Sequence, residues 1–236
     1  MDSTPLVLLH AFPFDSRMWD EVRDLLKPIT PDQRGGGRSP DLVAIADDVL
    51  RLLDARGIER AVLGGCSMGG YVAMAVLRRD ASRVAGLVLA DTRAGADTDE
   101  ARTNRLTMAT RVEAEGLEWV PDTVAGGLLG PAADDAVIGR VRELILDQDP
   151  AEVVWAQRAM AARPDSTDVL AQVDVPALVL VGEHDALTPP ALARELAGTL
   201  RQAEYVELPG VGHLTPLEAP DAFAAAVLDW RHRVGV

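Results

Sequence analysis

Gly65-Cys66-Ser67-Met68-Gly69 sets a hydroxyl between two glycines at the spacing G-x-S-x-G. A serine hydroxyl attacks a carbonyl only weakly unless a base takes its proton. Glycines at the flanking positions allow a turn too tight for side chains. Such a turn lifts the hydroxyl clear of the sheet edge and sets it at a helix N-terminus. There, free N–H groups and the helix dipole favour negative charge. The plainer reading is a glycine-lined helix start with Ser67 as its N-cap.

The chain has four histidines that could serve as the base. His213 lies in the glycine-rich loop Pro209-Gly210-Val211-Gly212-His213, between a strand-like run and the last helix. His232, in Arg231-His232-Arg233, reads as solvated, and His184 as packed beside its own loop. His10 reads as a brace for the loop after the first strand. No spacing among the four supports a metal site. The base in turn needs a carboxylate to orient it. Asp185, in Gly182-Glu183-His184-Asp185, is the first choice, and Asp91 at the end of Val84–Ala90 is the alternative. Glu183 reads as a surface charge. Ser67, Asp185 and His213 then follow the chain order Ser…Asp…His. An acyl transfer also needs donors for an oxyanion. The Met68 N–H at the helix start is one, and the Phe12 N–H in His10-Ala11-Phe12-Pro13 is the other, since Pro13 has none.

These residues need elements that bring them to one place. Short apolar runs alternate with helical patterns. Strands are expected at Pro5–His10, around Pro28–Asp32, and at Ala61–Cys66, Val84–Asp91, Ala177–Gly182 and Glu204–Leu208. Helices are expected at Ser16–Leu26, Asp41–Gly57, Met68–Arg79, Ala191–Leu200 and Asp221–Arg231. Leu42, Ile45, Val49, Leu52 and Leu53 recur at helical spacing behind a plausible N-cap, Asp41. The alternation predicts an α/β fold with a mostly parallel, doubly wound sheet covered on both faces. Loops after parallel strands gather at the carboxyl edge, where ligands bind. Ser67, Asp185 and His213 all fall in such loops.

From Asp97 to Asp174 the alternation stops. Helices broken at Gly116, Pro121, Gly126-Gly127, Gly130-Pro131, Pro150 and Pro164 are expected there. An insertion of this size reads as a cap over the site, with a structural extension as the alternative. The expected organisation is one domain over residues 1–236 with a helical cap at about 97–174.

The 236 residues carry a formal charge of −14, with 48% hydrophobic and 25% charged residues. A surface of that sign repels phosphate backbones and anionic lipids, so neither nucleic acid nor membrane is an expected partner. The basic residues are nearly all arginine, Lys27 being the only lysine. Cys66 is the only cysteine, which excludes an intrachain disulfide and a multi-cysteine metal site. No charged segment followed by an apolar run opens the chain, so no secretory leader is expected and a cytoplasmic location is the default. Arg34-Gly35-Gly36-Gly37-Arg38-Ser39 lacks the Lys-Ser/Thr ending of a phosphate loop and reads as a packed turn near the site. Trp19, Trp119 and Trp155 read as pocket walls or as core.

Over almost its whole length the sequence resembles α/β-hydrolases. The resemblance rests on His10-Ala11-Phe12-Pro13, Asp32-Gln33-Arg34-Gly35 through Ser39, Gly65–Gly70, Gly182–Pro189 and Gly212–Pro220, in that order. Its detailed style looks like that of bacterial esterases and enol-lactonases, including 3-oxoadipate enol-lactonase-like proteins. It implies a Ser67–His213–Asp185 triad with the Phe12 and Met68 amides as oxyanion hole. The activity it implies is hydrolysis of a small-molecule ester or lactone, with no metal and no organic cofactor. C–C bond hydrolases and cofactor-free perhydrolases look similar, and a non-catalytic binding protein on the same fold is the reading from another class. Ala11 departs from the glycine many relatives carry. A serine at position 67 argues against the dehalogenases and epoxide hydrolases of this fold, which use aspartate.

Overall fold

The computed structural model describes residues 4–236. Met1–Ser3, the start of the stretch read for a leader, lie outside the described residues. Leu6-Val7-Leu8-Leu9 is apolar at every position, and strand β1 (Leu6–Leu9) is buried on both faces. Side chains alternate across a strand. Leu6 and Leu8 therefore enter one core, and Val7 and Leu9 the other.

A single-turn 3-10 segment, Ser16–Trp19, precedes α1 (Asp20–Leu26), and α2 (Leu42–Ala55) follows with the Asp41 side chain capping the Val43 N–H. Then come β2 (Ala61–Cys66), α3 (Met68–Asp80) and β3 (Val84–Ala90). The strands pair in parallel in the order β1-β2-β3-β4-β5, where β4 is Ala177–Gly182 and β5 is Ala203–Leu208. Helix α1 and the last helix bury Val22, Phe223, Val227 and Trp230 against Leu8, Val88 and Leu180. On the opposite face Ile45, Val49 and Leu53 of α2 and Val72 and Val76 of α3 pack on Leu63, Leu89 and Val179. The parallel sheet with both faces covered is as expected.

The strand expected around Pro28–Asp32 shrinks to one parallel bridge, Ile29 with Val7. Pro28 and Pro31 have no N–H to give. Ile29 alone pairs both ways, receiving Leu8 N–H at 2.9 Å and donating to Leu6 O at 2.8 Å. Because Val7 pairs with Leu63 on its other edge, the direction of winding reverses beside β1. Crevices for ligands form at such reversals.

Between β3 and β4 the chain makes five helices. They are α4 (Asp99–Glu115), α5 (Val120–Leu128), α6 (Asp135–Leu146), α7 (Pro150–Ala162) and α8 (Thr167–Gln172). Gly116 ends α4 with φ of 78°. Pro121 and Pro150 sit in first turns, where a missing N–H costs nothing, so they begin helices. Gly126-Gly127 is no break: α5 runs through it, and a side chain at Gly127 would make ordinary contact with Leu187. The chain closes with α9 (Pro190–Thr199), the short α10 (Thr215–Glu218), which the sequence reading did not anticipate, and α11 (Pro220–Val234). No helix among the described residues is long and apolar enough to cross a membrane.

Candidate active site

β2 ends at Cys66 and α3 starts at Met68, which leaves Ser67 alone in the turn at φ 52° and ψ −110°. A non-glycine residue at positive φ is strained and persists only where its surroundings fix it. Here the Ser67 N–H donates to Ala90 O at 2.9 Å. Its carbonyl accepts the Thr92 hydroxyl at 2.9 Å and the Gly70 N–H at 3.0 Å. A side chain at Gly65 would collide with the Gly69 backbone, and one at Gly69 with the Leu9 carbonyl. The Ser67 side chain caps no helix amide. Its hydroxyl makes no hydrogen bond among the described residues and lines a cavity that His213 also lines.

His213 is buried, and its ring Nδ1 lies 2.8 Å from Asp185 Oδ2. The other oxygen of Asp185 accepts the Leu187 and Thr188 N–H groups at 2.8 Å each, and Oδ2 also accepts the Thr188 hydroxyl at 2.6 Å. Burial alone would raise the Asp185 pKa, but the bonds from His213 and Thr188 hold it below the usual carboxylate value. An ionised Asp185 assigns the proton to His213 Nδ1 and leaves Nε2 as the basic nitrogen. Burial opposes protonation of His213, yet Asp185, Asp91 and Glu218 together raise its pKa above the ordinary value. Without substrate, contacts between nucleophile and base are often open.

Asp91, the other candidate acid, makes no hydrogen bond to His213. It is fully buried at φ 49° and takes the Gly182 N–H at 3.1 Å and the Thr215 hydroxyl at 2.6 Å. Burial pushes its pKa up to about 7. Cys66 is buried beside it, and burial drives the thiol pKa well above its ordinary value, which leaves an inert thiol.

The Phe12 and Met68 amides donate to no protein acceptor among the described residues. Phe12 lines the cavity beside Ser67. His10 braces this loop as expected. Its Nε2 accepts the Gln33 N–H at 2.8 Å, which leaves Nδ1 as the donor to Ala11 O at 3.0 Å. Burial lowers its pKa to about 4. His184 is half exposed, 3.7 Å from Glu183.

The Gly35-Gly36-Gly37 turn is packed. Gly35 and Gly36 both donate their N–H groups to the Glu152 carboxylate of α7, and a side chain at Gly35 would collide with Trp155. An internal carboxylate thus fills what a phosphate would need. Trp19 is core against Phe223, Trp155 donates to Arg38 O at 2.8 Å, and Trp119 lies under Arg111. None of the three lines the Ser67 cavity.

That cavity has a volume of about 420 Å³. Its far walls come from α4, α5 and α7. Arg93 and Arg105 line it and were not singled out from sequence. Thr188 was missed too, although Asp185 followed three residues later by threonine is a local turn signal.

The sequence profile of the alpha/beta hydrolase family matches residues 6–226. A pimeloyl-[acyl-carrier protein] methyl ester esterase of Neisseria meningitidis is 26% identical, over 94% of this chain and 91% of that protein. 3-Oxoadipate enol-lactonase 1 of Acinetobacter baylyi is 28% identical, over 92% and 85%. Among solved structures, a thermophilic esterase of Thermogutta terrifontis with malate bound superposes with TM-score 0.94 at 38% identity, covering 99% of this chain and 91% of that one. The enol-lactonase of Burkholderia xenovorans gives TM-score 0.85 at 29% identity, covering 98% and 92%.

Proposed function

The chain belongs to the alpha/beta hydrolase family, and from that membership we propose that it cleaves a carboxylic ester or lactone through an acyl-enzyme on Ser67. The observation that carries this reading is His213, held by buried Asp185 at 2.8 Å, lining one cavity with a serine on a strained strand–helix turn.

Ser67 Oγ attacks the carbonyl carbon while His213 Nε2 takes its proton. The oxyanion is received by the Phe12 and Met68 N–H groups. Asp185 holds the ring and stabilises the imidazolium. The C–O bond to the alcohol breaks, and His213 returns the proton to the leaving oxygen. In a lactone that oxygen stays attached to the acyl chain. Water then attacks the acyl carbon with His213 as base, and the acid leaves as Ser67 regains its proton. The helices between β3 and β4 serve as the cap: α4, α5 and α7 supply Met108, Leu128 and Met160 to the cavity wall. The esterases and enol-lactonases named above support the ester and lactone classes.

A hydrolysis screen over short-chain esters, lactones and aromatic dienoates, with Ser67→Ala as blank, tests the proposal. Ester or lactone turnover that vanishes in Ser67→Ala is expected. A fluorophosphonate probe should label the wild type alone, and a protein that never labels is a binding protein on this fold.

A further inference from the structure

A chain of net charge −14 has no carboxylate lining its Ser67 cavity, while two guanidinium groups, Arg93 and Arg105, do line it. Both surround Asp97, whose side chain is 1% exposed. Arg93 Nη2 donates to Asp97 Oδ1 at 2.5 Å and Arg105 Nε to Oδ2 at 2.6 Å, and Arg163 Nη1 forms an ion pair with Oδ1 at 2.8 Å. Burial pushes the Asp97 pKa up, but Arg105 and Arg163 hold it at about 2, so it is ionised at neutral pH. One carboxylate among three guanidiniums leaves two positive charges uncompensated.

The three arginines differ in what else they do. Arg163 is committed to the fold: it stacks 4.0 Å over Tyr71 and donates to Met160 O at 3.0 Å and Gly95 O at 2.9 Å. Arg93 and Arg105 keep donors to spare. Arg93 Nε is buried with no partner. Arg93 Nη1 and Arg105 Nη2 donate to no protein acceptor among the described residues, and Arg105 Nη1 has only Gln157 Oε1 at 3.2 Å and the Met160 thioether. Of these only Arg93 Nε is sealed from solvent, so Arg93 Nη1 and Arg105 Nη2 are the donors a ligand can reach. Guanidinium donors beside a cavity match the planar, two-oxygen geometry of a carboxylate.

Resting on the hydrolase reading above, we propose that the substrate is an ester or lactone carrying a second, free carboxylate, which Arg93 and Arg105 receive. The subsite joins the two parts of the site, since Arg93 follows β3 and Arg105 stands on α4. A carboxylate held there fixes which end of the substrate meets Ser67.

Monomethyl and dimethyl esters of succinate, glutarate and adipate test this, since each pair differs by one charge at one length. We expect kcat/KM for the best half-ester to exceed that of its diester by about tenfold or more, as one charge-assisted contact would give. Arg105→Gln and Arg93→Gln should cut that ratio about tenfold, and Arg105→Lys should keep an intermediate ratio. A wild-type ratio at or below unity at every length, or a ratio unmoved in both glutamine variants, overturns the anion subsite and leaves the hydrolase reading intact. Calorimetric titration of Ser67→Ala with the same pairs needs no turnover. Tighter binding of the half-esters supports the subsite, and equal binding of charged and neutral esters overturns it. Half-ester preference in binding, without turnover of any ester by the wild type, would sink the hydrolase reading alone.

Discussion

Asp91 Oδ2 accepts the Thr215 hydroxyl at 2.6 Å, two residues beyond His213. The same side chain takes the Gly182 N–H at 3.1 Å, three residues before Asp185, and the Cys66 thiol at 3.7 Å, one residue before Ser67. One buried carboxylate thus touches all three loops of the site without touching His213. Of the two carboxylates, only Asp185 reaches the ring.

That division of labour predicts unequal losses. Asp185→Asn leaves His213 in the wrong tautomer and should cost on the order of 10⁴ in kcat. Asp91→Asn leaves the Asp185–His213 bond in place and should cost less. Steady-state kinetics on the best ester of the screen decide it, and the reverse ranking would move the orienting role to Asp91.

The pH profile follows from the same groups. As the proposed base, His213 can take a proton only when neutral, and its pKa lies above the ordinary value because Asp185, Asp91 and Glu218 outweigh burial. Activity should therefore rise with pH along a limb centred above the ordinary histidine value. Asp91→Asn removes one of those negative charges, so the limb should move to lower pH. A limb that stays in place would show that Asp91 exerts no field at His213.

Stability should show two opposed buried titrations. His10 has a pKa of about 4 in the fold against 6.5 in the unfolded chain. Between those values only the unfolded chain binds the proton, so acidification costs about 3 kcal/mol. Asp91 has a pKa of about 7 in the fold against 3.8 unfolded. There the folded state holds the proton, so acidification through the same window stabilises by about 4 kcal/mol. Wild-type Tm should vary little from these two groups between about pH 7 and 4. Asp91→Asn should lose Tm steeply on acidification, and His10→Gln should gain it. Thermal scans across that window check both, and two variants that track the wild type would refute it.

Glu152 ties α7 to the glycine turn. Glu152→Ala strands the Gly35 and Gly36 amides and should cost about 2 kcal/mol, or a Tm drop of about 5 °C. Differential scanning calorimetry reads this directly, and an unchanged Tm would mean that water replaces the carboxylate without loss.

Much of the frame is legible in the sequence because it is locally encoded. Ala61–Cys66 and Ala177–Gly182 have the bounds their apolar runs suggest. The turn at Ser67 is written in its glycines, whose missing side chains make room for Leu9 and Gly69. What was missed depends on distant partners. Glu152 meets Gly35 across 117 residues. Arg93 and Arg105 reach Asp97 over only four and eight residues, but that they line one cavity with Ser67 depends on the packing of α4 against α7. The Pro28–Asp32 run carries an apolar signal at Ile29, but its prolines remove the N–H groups a strand needs, so only one bridge forms.

The helices between Asp99 and Gln172 leave the sheet after β3 and return to it at β4, which pairs directly with β3, Ala90 opposite Leu180. The excursion begins and ends on neighbouring strands, so its length does not alter the register of the sheet. Lengthening such a loop twofold adds only about 0.6 kcal/mol of closure entropy. A graft of another helical set between the same two strands would therefore leave Ser67, Asp185 and His213 on their own loops, but would have to replace the core packing of Trp155, Ala159 and Leu170 and the tie of Glu152 to Gly35.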